Sequence, residues 1–339
     1  MGDSGSLQSK SGLLLEPTFG YGNTFPRRPT LQEVWVEWVD AVSFWRHPSR
    51  RLPAFYAAYH FATLIVFLLF LIKFPFLSSI IAVLAVTSII ATVYNTVWYH
   101  RYCTHRAFKF RNLWFARLFL WLNPVCFREE SYVIPHRVHH SKSDQVGDPY
   151  GPHLGWLGSY LATESQQKVN RNLSRRDYDR LSKSLDHIGF VKSTYEQFQR
   201  FGSVENVRHY LARVIVANLF WTSFAYGFAG LQGVLGWLSG VFFYSFLVRD
   251  FNYRGHGGLF GNSHPRIPLN HVFYGLLAGE WHENHHAYPR SAKSGIAWWQ
   301  LDVPYWIIRL LALCGAVVHV NGQPEPNKNR TKIPQPEVA

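Results

Sequence analysis

The sequence predicts an all-α integral membrane protein with four transmembrane helices in two hairpins and a helical cap on one side of the membrane. Three observations support this fold class. Charged residues make up 16% of the 339-residue chain, whereas a typical soluble domain contains about 25%. Long apolar stretches occur in two closely spaced pairs. The basic residues are concentrated outside these stretches, as in membrane proteins of fixed orientation.

The apolar stretches have the length of membrane-spanning helices. A hydrocarbon core of about 30 Å requires about 20 apolar residues in a helix. The first pair covers residues 54–72 and 77–98, and only a short turn separates its two members. The second pair covers residues 212–229 and 231–248, with a break near Ala229-Gly230. Each pair is therefore predicted to form a hairpin.

The basic residues predict the orientation of these helices. With four spans, every Lys and Arg except Lys73 lies on the same side as the two termini, and the positive-inside rule makes that side cytoplasmic. The predicted location is a bacterial inner membrane or the endoplasmic reticulum. Residues 1–50 are expected to form a cytosolic segment, 51–320 the membrane domain, and 321–339 a disordered tail. The net charge of +13 favours anionic lipid as a partner, and no nucleic-acid-binding motif accompanies it.

Three histidine clusters lie in the segments assigned to the cytoplasmic side. Their members are His100 and His105; His136, His139 and His140; and His282, His285 and His286. Asn252 and His256 follow the fourth predicted span with the same i, i+4 spacing. Because helix positions i, i+3 and i+4 share a face, each trio is expected to direct its imidazoles at one common point.

These ten donors exceed the four ligands that one zinc ion requires. They predict two metal ions with about five ligands each, and imidazole-rich sites suit redox metals such as iron. Two iron ions with O2 as co-substrate are therefore expected. Ligating histidines usually donate their second N–H to a carboxylate or a carbonyl. The candidate carboxylates are Asp144, Asp148, Glu280 and Glu283.

Two other classes of protein remain as alternatives. His282, Glu283 and His286 form an HExxH pattern, which is typical of zinc metalloproteases, but this pattern uses only two of the ten donors. A non-catalytic metal-binding or transport protein should carry ionisable or polar residues within its spans. His60 and Asn95 are nearly all that the spans contain, so this alternative is disfavoured.

The histidine pattern resembles that of the membrane fatty acid desaturase family, which includes the stearoyl-CoA desaturases. That family carries HxxxxH, HxxHH and HxxHH boxes in this order, with two spans between the second and third boxes. The short motifs beside the boxes, Asp148-Pro149 and Gly279-Glu280-Trp281, also agree with those of the family. The similarity extends over roughly residues 50–315, and Asn252 and His256 match additional ligands of stearoyl-CoA desaturases.

The resemblance implies a diiron, oxygen-dependent oxidoreductase that introduces a double bond into a fatty acyl chain, as acyl-CoA or acyl-lipid. It implies no catalytic residue beyond the metal ligands. It also implies a separate electron donor, of the ferredoxin, rubredoxin or cytochrome b5 type with its reductase. Residues 157–208 match no familiar desaturase stretch. After His256, Gly257–Gly261 stands where stearoyl-CoA desaturases have a Gly-Tyr-Arg motif. Fatty acid decarboxylation to terminal alkenes and acyl hydroxylation therefore remain alternative reactions.

Overall fold

The computed structural model describes residues 10–20, 28–143, 147–149, 154–161, 167–256 and 270–322. It is mostly helical, as the sequence predicts. Three features of the sequence analysis lie outside the described residues: the carboxylate candidate Asp144, the segment 257–261 and nearly all of the predicted tail.

The N-terminal segment leads into the first long apolar helix. A 3-10 turn, Lys10–Leu13, precedes helix α1, Leu31–Val42. Thr30 caps α1, because its hydroxyl accepts the Glu33 N–H while the Glu33 carboxylate accepts the Thr30 N–H. After a second 3-10 turn, Pro48–Arg50, helix α2 covers Arg51–Lys73.

The second long helix changes its geometry half-way. Helix α3, Leu77–Ile89, continues without interruption as a π-helix over Ile90–Thr104. The element therefore extends six residues beyond the predicted end of the span at residue 98. The added residues carry His100, so the helix that enters the membrane also delivers the first histidine box to its end.

The middle of the chain forms short elements between the second and third long helices. In its described residues, strand β1 is followed by five helices and one 3-10 turn, for which the sequence analysis gave no individual bounds. Their bounds are β1 Phe108–Phe110, α4 Leu113–Trp121, α5 Glu129–Lys142, α6 Gly155–Leu161, α7 Arg175–Ser184, the 3-10 turn Asp186–Ile188 and α8 Tyr195–Phe201.

Helix α9, Val207–Arg254, is two helices that fold back on each other. Ala229 and Gly230 have non-helical dihedrals, and the φ of +58° and ψ of −145° at Gly230 favour glycine there. The stacked rings of Trp221 and Trp237 have centroids 5.0 Å apart. In a straight helix these residues would be separated by about 24 Å. The break therefore reverses the chain at the position the sequence predicts.

The last part of the chain forms three short helices and a strand in its described residues. It contains α10 Val272–Ala278, α11 His282–Ala287, α12 Val303–Leu313 and strand β2 Val317–Val320. β2 pairs antiparallel with β1, with Lys109 opposite His319 and an irregularity before Phe110. This two-stranded sheet is a small departure from the predicted all-α class.

Among the described residues, three helices are long and apolar enough to cross a membrane: Pro48–Lys73, Leu77–Thr104 and Val207–Arg254. The third packs against each of the other two, and the residues that face outward are large and apolar, such as Leu69, Ile81 and Phe228. Such an apolar exterior is stable in lipid rather than in water. The protein is therefore a membrane protein.

Small residues let the long helices approach closely. A Cβ atom placed on Gly240 of α9 would lie 2.4 Å from Cγ1 and 2.6 Å from Cβ of Val86, and Thr87 Oγ1 donates to the Gly240 carbonyl at 3.1 Å. Small residues commonly provide such contacts between membrane helices.

We expect Gly240→Ala to destabilise the protein by about 1–3 kcal/mol, because overpacking forces the two helices apart. The matched control is Gly227→Ala in the same helix, where the added Cβ meets no atom within 4 Å. Thermal unfolding in detergent, followed by tryptophan fluorescence, should show a lower midpoint for Gly240→Ala only. Equal midpoints for both variants would contradict this helix packing.

Candidate metal centre

The structure brings all nine histidines of the predicted site together, in two adjacent groups. The first histidine cluster has five members: His100, His105, His136, His140 and His285. The second histidine cluster has four: His139, His256, His282 and His286. Within each cluster one nitrogen from every member lies within 4.8 Å of the others. The stacked rings of His140 and His286, 4.4 Å apart, join the two clusters.

The imidazole nitrogens converge more closely than ordinary packing requires. His285 Nε2 lies 2.8 Å from His100 Nε2 and 3.0 Å from His140 Nε2. His140 Nε2 is also 3.1 Å from His136 Nε2. In the second cluster, His282 Nε2 lies 2.8 Å from His256 Nε2. This converging set fits nitrogens that share a metal ion.

The nitrogen spacing also indicates the coordination geometry that the clusters would suit. With metal–nitrogen bonds of about 2.0–2.1 Å, two ligands at right angles lie about 2.9 Å apart, and two in a tetrahedron about 3.4 Å apart. The observed 2.8–3.1 Å fits the right-angle case. These four close pairs therefore fit ligands at right angles, and the five imidazoles of the first cluster exceed the four ligands of a tetrahedral zinc ion.

Two buried nitrogens support the same conclusion. His105 Nε2 and His286 Nε2 are buried and have no hydrogen-bond partner among the described residues. A buried polar atom left without a partner costs about 1–3 kcal/mol. Coordination of a metal ion would satisfy both atoms.

The π-helix explains how both histidines of the first box reach the same cluster. His100 and His105 are five residues apart, which would place them on nearly opposite sides of an α-helix. In the π-helical turn the His105 N–H donates to the His100 carbonyl at 3.1 Å, and the two rings lie 4.9 Å apart. π-helical turns occur often at functional sites. The five-residue spacing of these two histidines is the sequence feature from which this turn could have been predicted.

The expectation that each histidine trio points at one place is wrong. In α5, His136 and His140 belong to the first cluster, while His139 belongs to the second. Consecutive helix residues are separated by about 100° around the axis, whereas i and i+4 differ by only about 40°. The i, i+4 pair therefore serves one cluster, and the residue at i+3 serves its neighbour.

The third box is divided between the clusters in the opposite sense. His282 and His286 of α11 belong to the second cluster, and His285 belongs to the first. His256 lies just beyond the end of α9, after Gly255. Each HxxHH box thus supplies a pair to one cluster and a single histidine to the other.

Two of the four predicted carboxylates orient site histidines. Nδ1 of His100 lies 2.9 Å from Oε2 of Glu280, and Nδ1 of His139 lies 2.8 Å from Oδ1 of Asp148. A carboxylate at Nδ1 accepts the ring proton there, which leaves Nε2 as the nitrogen with a free lone pair. For Glu283, only its backbone N–H makes a hydrogen bond, to Asn270, among the described residues.

Burial keeps five of the site histidines in the neutral form that binds metals. Desolvation, followed by the neighbouring imidazoles, holds the pKa of His136, His282 and His285 well below the usual 6.5. The pKa values of His105 and His286 are lowered for the same two reasons. Neutral imidazole at physiological pH is the ligand that transition metals require.

Asn252, the tenth predicted donor, lies on α9 one turn before His256 and lines a cavity of about 80 Å³. His100, His136 and His282 line the same cavity, so it touches both clusters. The rest of its wall comes largely from apolar and aromatic residues such as Val125, Phe127 and Val248.

Two buried ionic groups that hold the boxes in place were not anticipated as part of the site. Arg101, next to His100, pairs with Asp302 at 2.8 Å and donates to Ser294 Oγ at 2.8 Å. Asp302 also accepts the Ser294 N–H at 2.6 Å. The pair fixes the end of the π-helix to the loop that follows the third box. The charged Arg101 inside the first box is the sequence feature from which this ion pair could have been suspected.

The second group lies at the start of α5. The Glu129 carboxylate accepts hydrogen bonds from the Trp98 indole N–H at 3.0 Å and the Asn123 amide at 2.9 Å. It also pairs with Arg213 of α9, which in turn binds Glu205 at 2.7 Å. All four charged or indole side chains are buried. Removal of one partner from such a buried group typically costs about 3–5 kcal/mol.

Comparison with known proteins identifies the family that carries this arrangement. The profile of the fatty acid desaturase family matches residues 77–313, which include all nine histidines of the two clusters. The chain belongs to the fatty acid desaturase family.

Its relatives within this family are distant. An icosanoyl-CoA 5-desaturase from Limnanthes douglasii is 27% identical over 248 residues, which is 70% of this chain and 63% of the relative. An acyl-CoA 5-desaturase from Anemone leveillei is 28% identical over 255 residues, 70% of each chain. Delta-9 acyl-lipid desaturase 1 from Arabidopsis thaliana is 24% identical over 301 residues, 85% of this chain and 90% of the relative. The match thus spans less than two thirds of the Limnanthes protein.

We expect Asp148→Asn to weaken metal retention by this desaturase family member about 10- to 100-fold, because His139 loses the carboxylate that orients it. Glu283→Gln is the matched control, since the Glu283 carboxylate makes no hydrogen bond with the described residues. Metal content after dialysis against graded chelator concentrations measures the effect. Similar retention by Asp148→Asn and the wild type would refute the orienting role.

Acidification should destabilise the metal-free protein. The buried histidines have folded-state pKa values below 6.5, so below pH 6.5 the unfolded chain binds more protons than the folded one. Each such imidazole then removes up to about 1.4 kcal/mol of stability per pH unit. Thermal midpoints should fall from pH 7.5 to pH 5.5, and fall less in His286→Gln. A midpoint that stays constant over this range would show that these histidines are not buried in the folded apoprotein.

Proposed function

We propose that this protein is an oxygen-dependent diiron oxidoreductase that introduces a double bond into a fatty acyl chain. The observation that supports this function most directly is the pair of adjacent histidine clusters, six of whose nine members are buried, in a member of the fatty acid desaturase family. Family membership and the names of the relatives both indicate an enzyme of the desaturase type.

The proposed ligands divide unequally between the two irons. The five histidines of the first cluster would hold one ion, and the four histidines of the second cluster would hold the other. Asn252 would add a carbonyl oxygen to the second ion, because it lines the cavity beside His282. Asp148 and Glu280 would act as the orienting carboxylates. Mixed nitrogen and oxygen donors at five-coordinate sites suit iron.

The cavity beside both clusters supplies a place for the substrate. Its wall is mostly apolar, and it reaches His100, His136 and His282. A short stretch of an acyl chain in this cavity would displace water and place its methylene carbons beside the metal ligands. The apolar wall therefore favours a lipid chain over a peptide, and it excludes water from the reacting carbons.

The irons, when bound, would activate O2 for the removal of two hydrogens from neighbouring carbons. The overall balance converts –CH2–CH2–, O2, two electrons and two protons into –CH=CH– and two waters. The two electrons would come from a separate carrier of the ferredoxin, rubredoxin or cytochrome b5 type. The residues of this chain bind, orient and shield the reactants, and none acts as an additional acid or base.

The long helices support four membrane passes. The reversal at Gly230 divides α9 into segments 207–228 and 231–254, and each exceeds the length of about 20 residues that a bilayer requires. Helices α2 and α3 would form the other two passes. This arrangement places residue 104, residue 207 and residue 254 on one side of the membrane, with the histidines. The excess of basic residues on that side makes it cytoplasmic by the positive-inside rule.

The zinc protease alternative has little support from the site. His282 and His286 of the HExxH pattern lie in the second cluster together with His139 and His256, so four imidazoles, rather than two, are available there. The relatives are named for acyl-CoA and acyl-lipid substrates, which leaves the head group of the substrate open. Decarboxylation and hydroxylation are treated as outcomes of the test below.

Expression in a desaturase-deficient host should yield new unsaturated acyl chains, detected by gas chromatography of total lipids. The purified protein should contain about two irons per chain. His286→Gln should abolish the new chains and lower the iron content. His319→Gln, on the exposed edge of β2, is the matched control and should keep both.

The other reactions give different products in the same experiment. Volatile 1-alkenes in the headspace would indicate decarboxylation, and hydroxylated chains would indicate hydroxylation. One zinc ion per chain without O2 consumption would refute the diiron proposal.

A further inference from the structure

A cationic side chain borders the cavity that lies beside the histidine clusters. Arg249 lines this cavity together with Asn252, His100 and His282, although only 5% of the residue is exposed. It is the one lysine or arginine among the described residues of the cavity wall. Because a guanidinium is charged at every physiological pH, the largely apolar wall contains one permanent cation.

Two tyrosines hold the guanidinium of Arg249 in place. Its Nη1 donates to the Tyr160 carbonyl at 2.8 Å, and its Nη2 donates to the Tyr56 hydroxyl at 3.3 Å. It also lies over both rings, 5.1 Å from the centroid of Tyr160 and 5.7 Å from that of Tyr56. Such cation–π contacts stabilise the charge, and together these contacts fix the position of the side chain.

Two hydroxyl groups extend this polar part of the wall. Tyr56 and Ser245 line the cavity beside Arg249, and their hydroxyl oxygens lie 3.1 Å apart. Ser245 and Arg249 are four residues apart on α9 and therefore share one face of the helix. We call Arg249, Tyr56 and Ser245 the arginine subsite. Its guanidinium and hydroxyl groups are hydrogen-bond donors that suit a carboxylate.

We propose that the arginine subsite binds the carboxylate of a free fatty acid, and that the substrate is therefore the free acid. This inference rests on the proposed function and deepens it by naming the head group. A guanidinium binds a carboxylate through two parallel N–H···O bonds, and such charged bonds are stronger than those to a neutral ester carbonyl. An arginine has five N–H donors, so it can hold a ligand together with its protein partners.

Burial of the arginine subsite favours a small head group. The cavity has a volume of about 80 Å³, and the Arg249 side chain is almost completely covered by protein. A carboxylate adds only two oxygen atoms to the end of an acyl chain. Coenzyme A or a glycerolipid head group is far larger and would need an open path beside Arg249. The subsite is therefore expected to select the free acid over its thioesters and glycerol esters.

The wild-type protein provides the first test, without any substitution. Iron-loaded protein in nanodiscs is kept anaerobic, so that no turnover occurs, and binding of radiolabelled octanoate is measured by equilibrium dialysis, with empty nanodiscs as the blank. Unlabelled octanoate should displace the label at least about tenfold more effectively than 1-octanol or methyl octanoate, because only octanoate carries a carboxylate. Equal displacement by 1-octanol would overturn the inference, as would equal displacement by octanoyl-CoA.

Substitutions then show whether Arg249 is the binding group. Arg249→Gln removes the charge and should weaken octanoate binding about ten- to hundredfold, with unchanged binding of 1-octanol. Arg249→Lys keeps the charge and should bind octanoate more tightly than Arg249→Gln. Arg208→Gln, at the exposed start of α9, is the matched control and should behave as the wild type.

A milder variant keeps the test decisive if Arg249→Gln does not fold. Tyr56→Phe deletes a single hydroxyl group and should weaken octanoate binding about three- to tenfold. Unchanged octanoate binding in the folded variants of Arg249 and Tyr56 would overturn the inference, because the carboxylate would then be held elsewhere, for example at the metal centre.

Failure of the proposed function would give a different result. A protein that binds octanoate through Arg249, but forms no product from acyl chains when given O2 and a reductant, would refute the proposed function and leave the arginine subsite standing. A protein that forms unsaturated chains, but binds octanoate no better than 1-octanol, would refute only the arginine subsite.

Discussion

The structure depends on one electrostatic constraint, the convergence of nine imidazoles, six of them buried and three partly exposed, on two neighbouring centres. Burial alone favours the neutral form, but it does not choose which nitrogen carries the proton. Glu280 and Asp148 make that choice for His100 and His139. The Arg101–Asp302 pair and the Glu129–Arg213 group then hold the segments that carry the boxes. These buried polar groups thus serve the orientation of the histidines.

Helix geometry determines how three short boxes can build two centres. An α-helix places i and i+4 close together in direction and i+3 apart from both, so α5 and α11 each contribute to both clusters. The first box has no such pair, and its five-residue spacing requires the π-helical turn at His100. The boxes are therefore complementary parts of one site, and none of them would form a complete centre alone.

The sequence predicted the parts of this arrangement that depend on the length of apolar stretches and on the spacing of the histidines. Apolar length located the three long apolar helices, and Gly230 marked the reversal within α9. Histidine spacing identified all nine members of the clusters. The distribution of His139 and His285 between clusters could not be predicted, because it depends on how α5 and α11 are rotated relative to each other. Glu129 and Arg213, 84 residues apart in sequence, likewise meet only through tertiary packing.

The two sides of the first cluster differ in a way that suits two different reactants. On the inner side, His100 and His136 border a largely apolar cavity, where a lipid chain is stable and a charged protein is not. On the outer side, His105 and His140 are partly exposed, so a polar reactant can approach this edge without entering the cavity. In the proposed function, which needs an acyl chain and reducing equivalents at one centre, this separation prevents one reactant from blocking the other. Different imidazoles of one cluster thus face the two compartments, His100 and His136 the cavity and His105 and His140 the exterior.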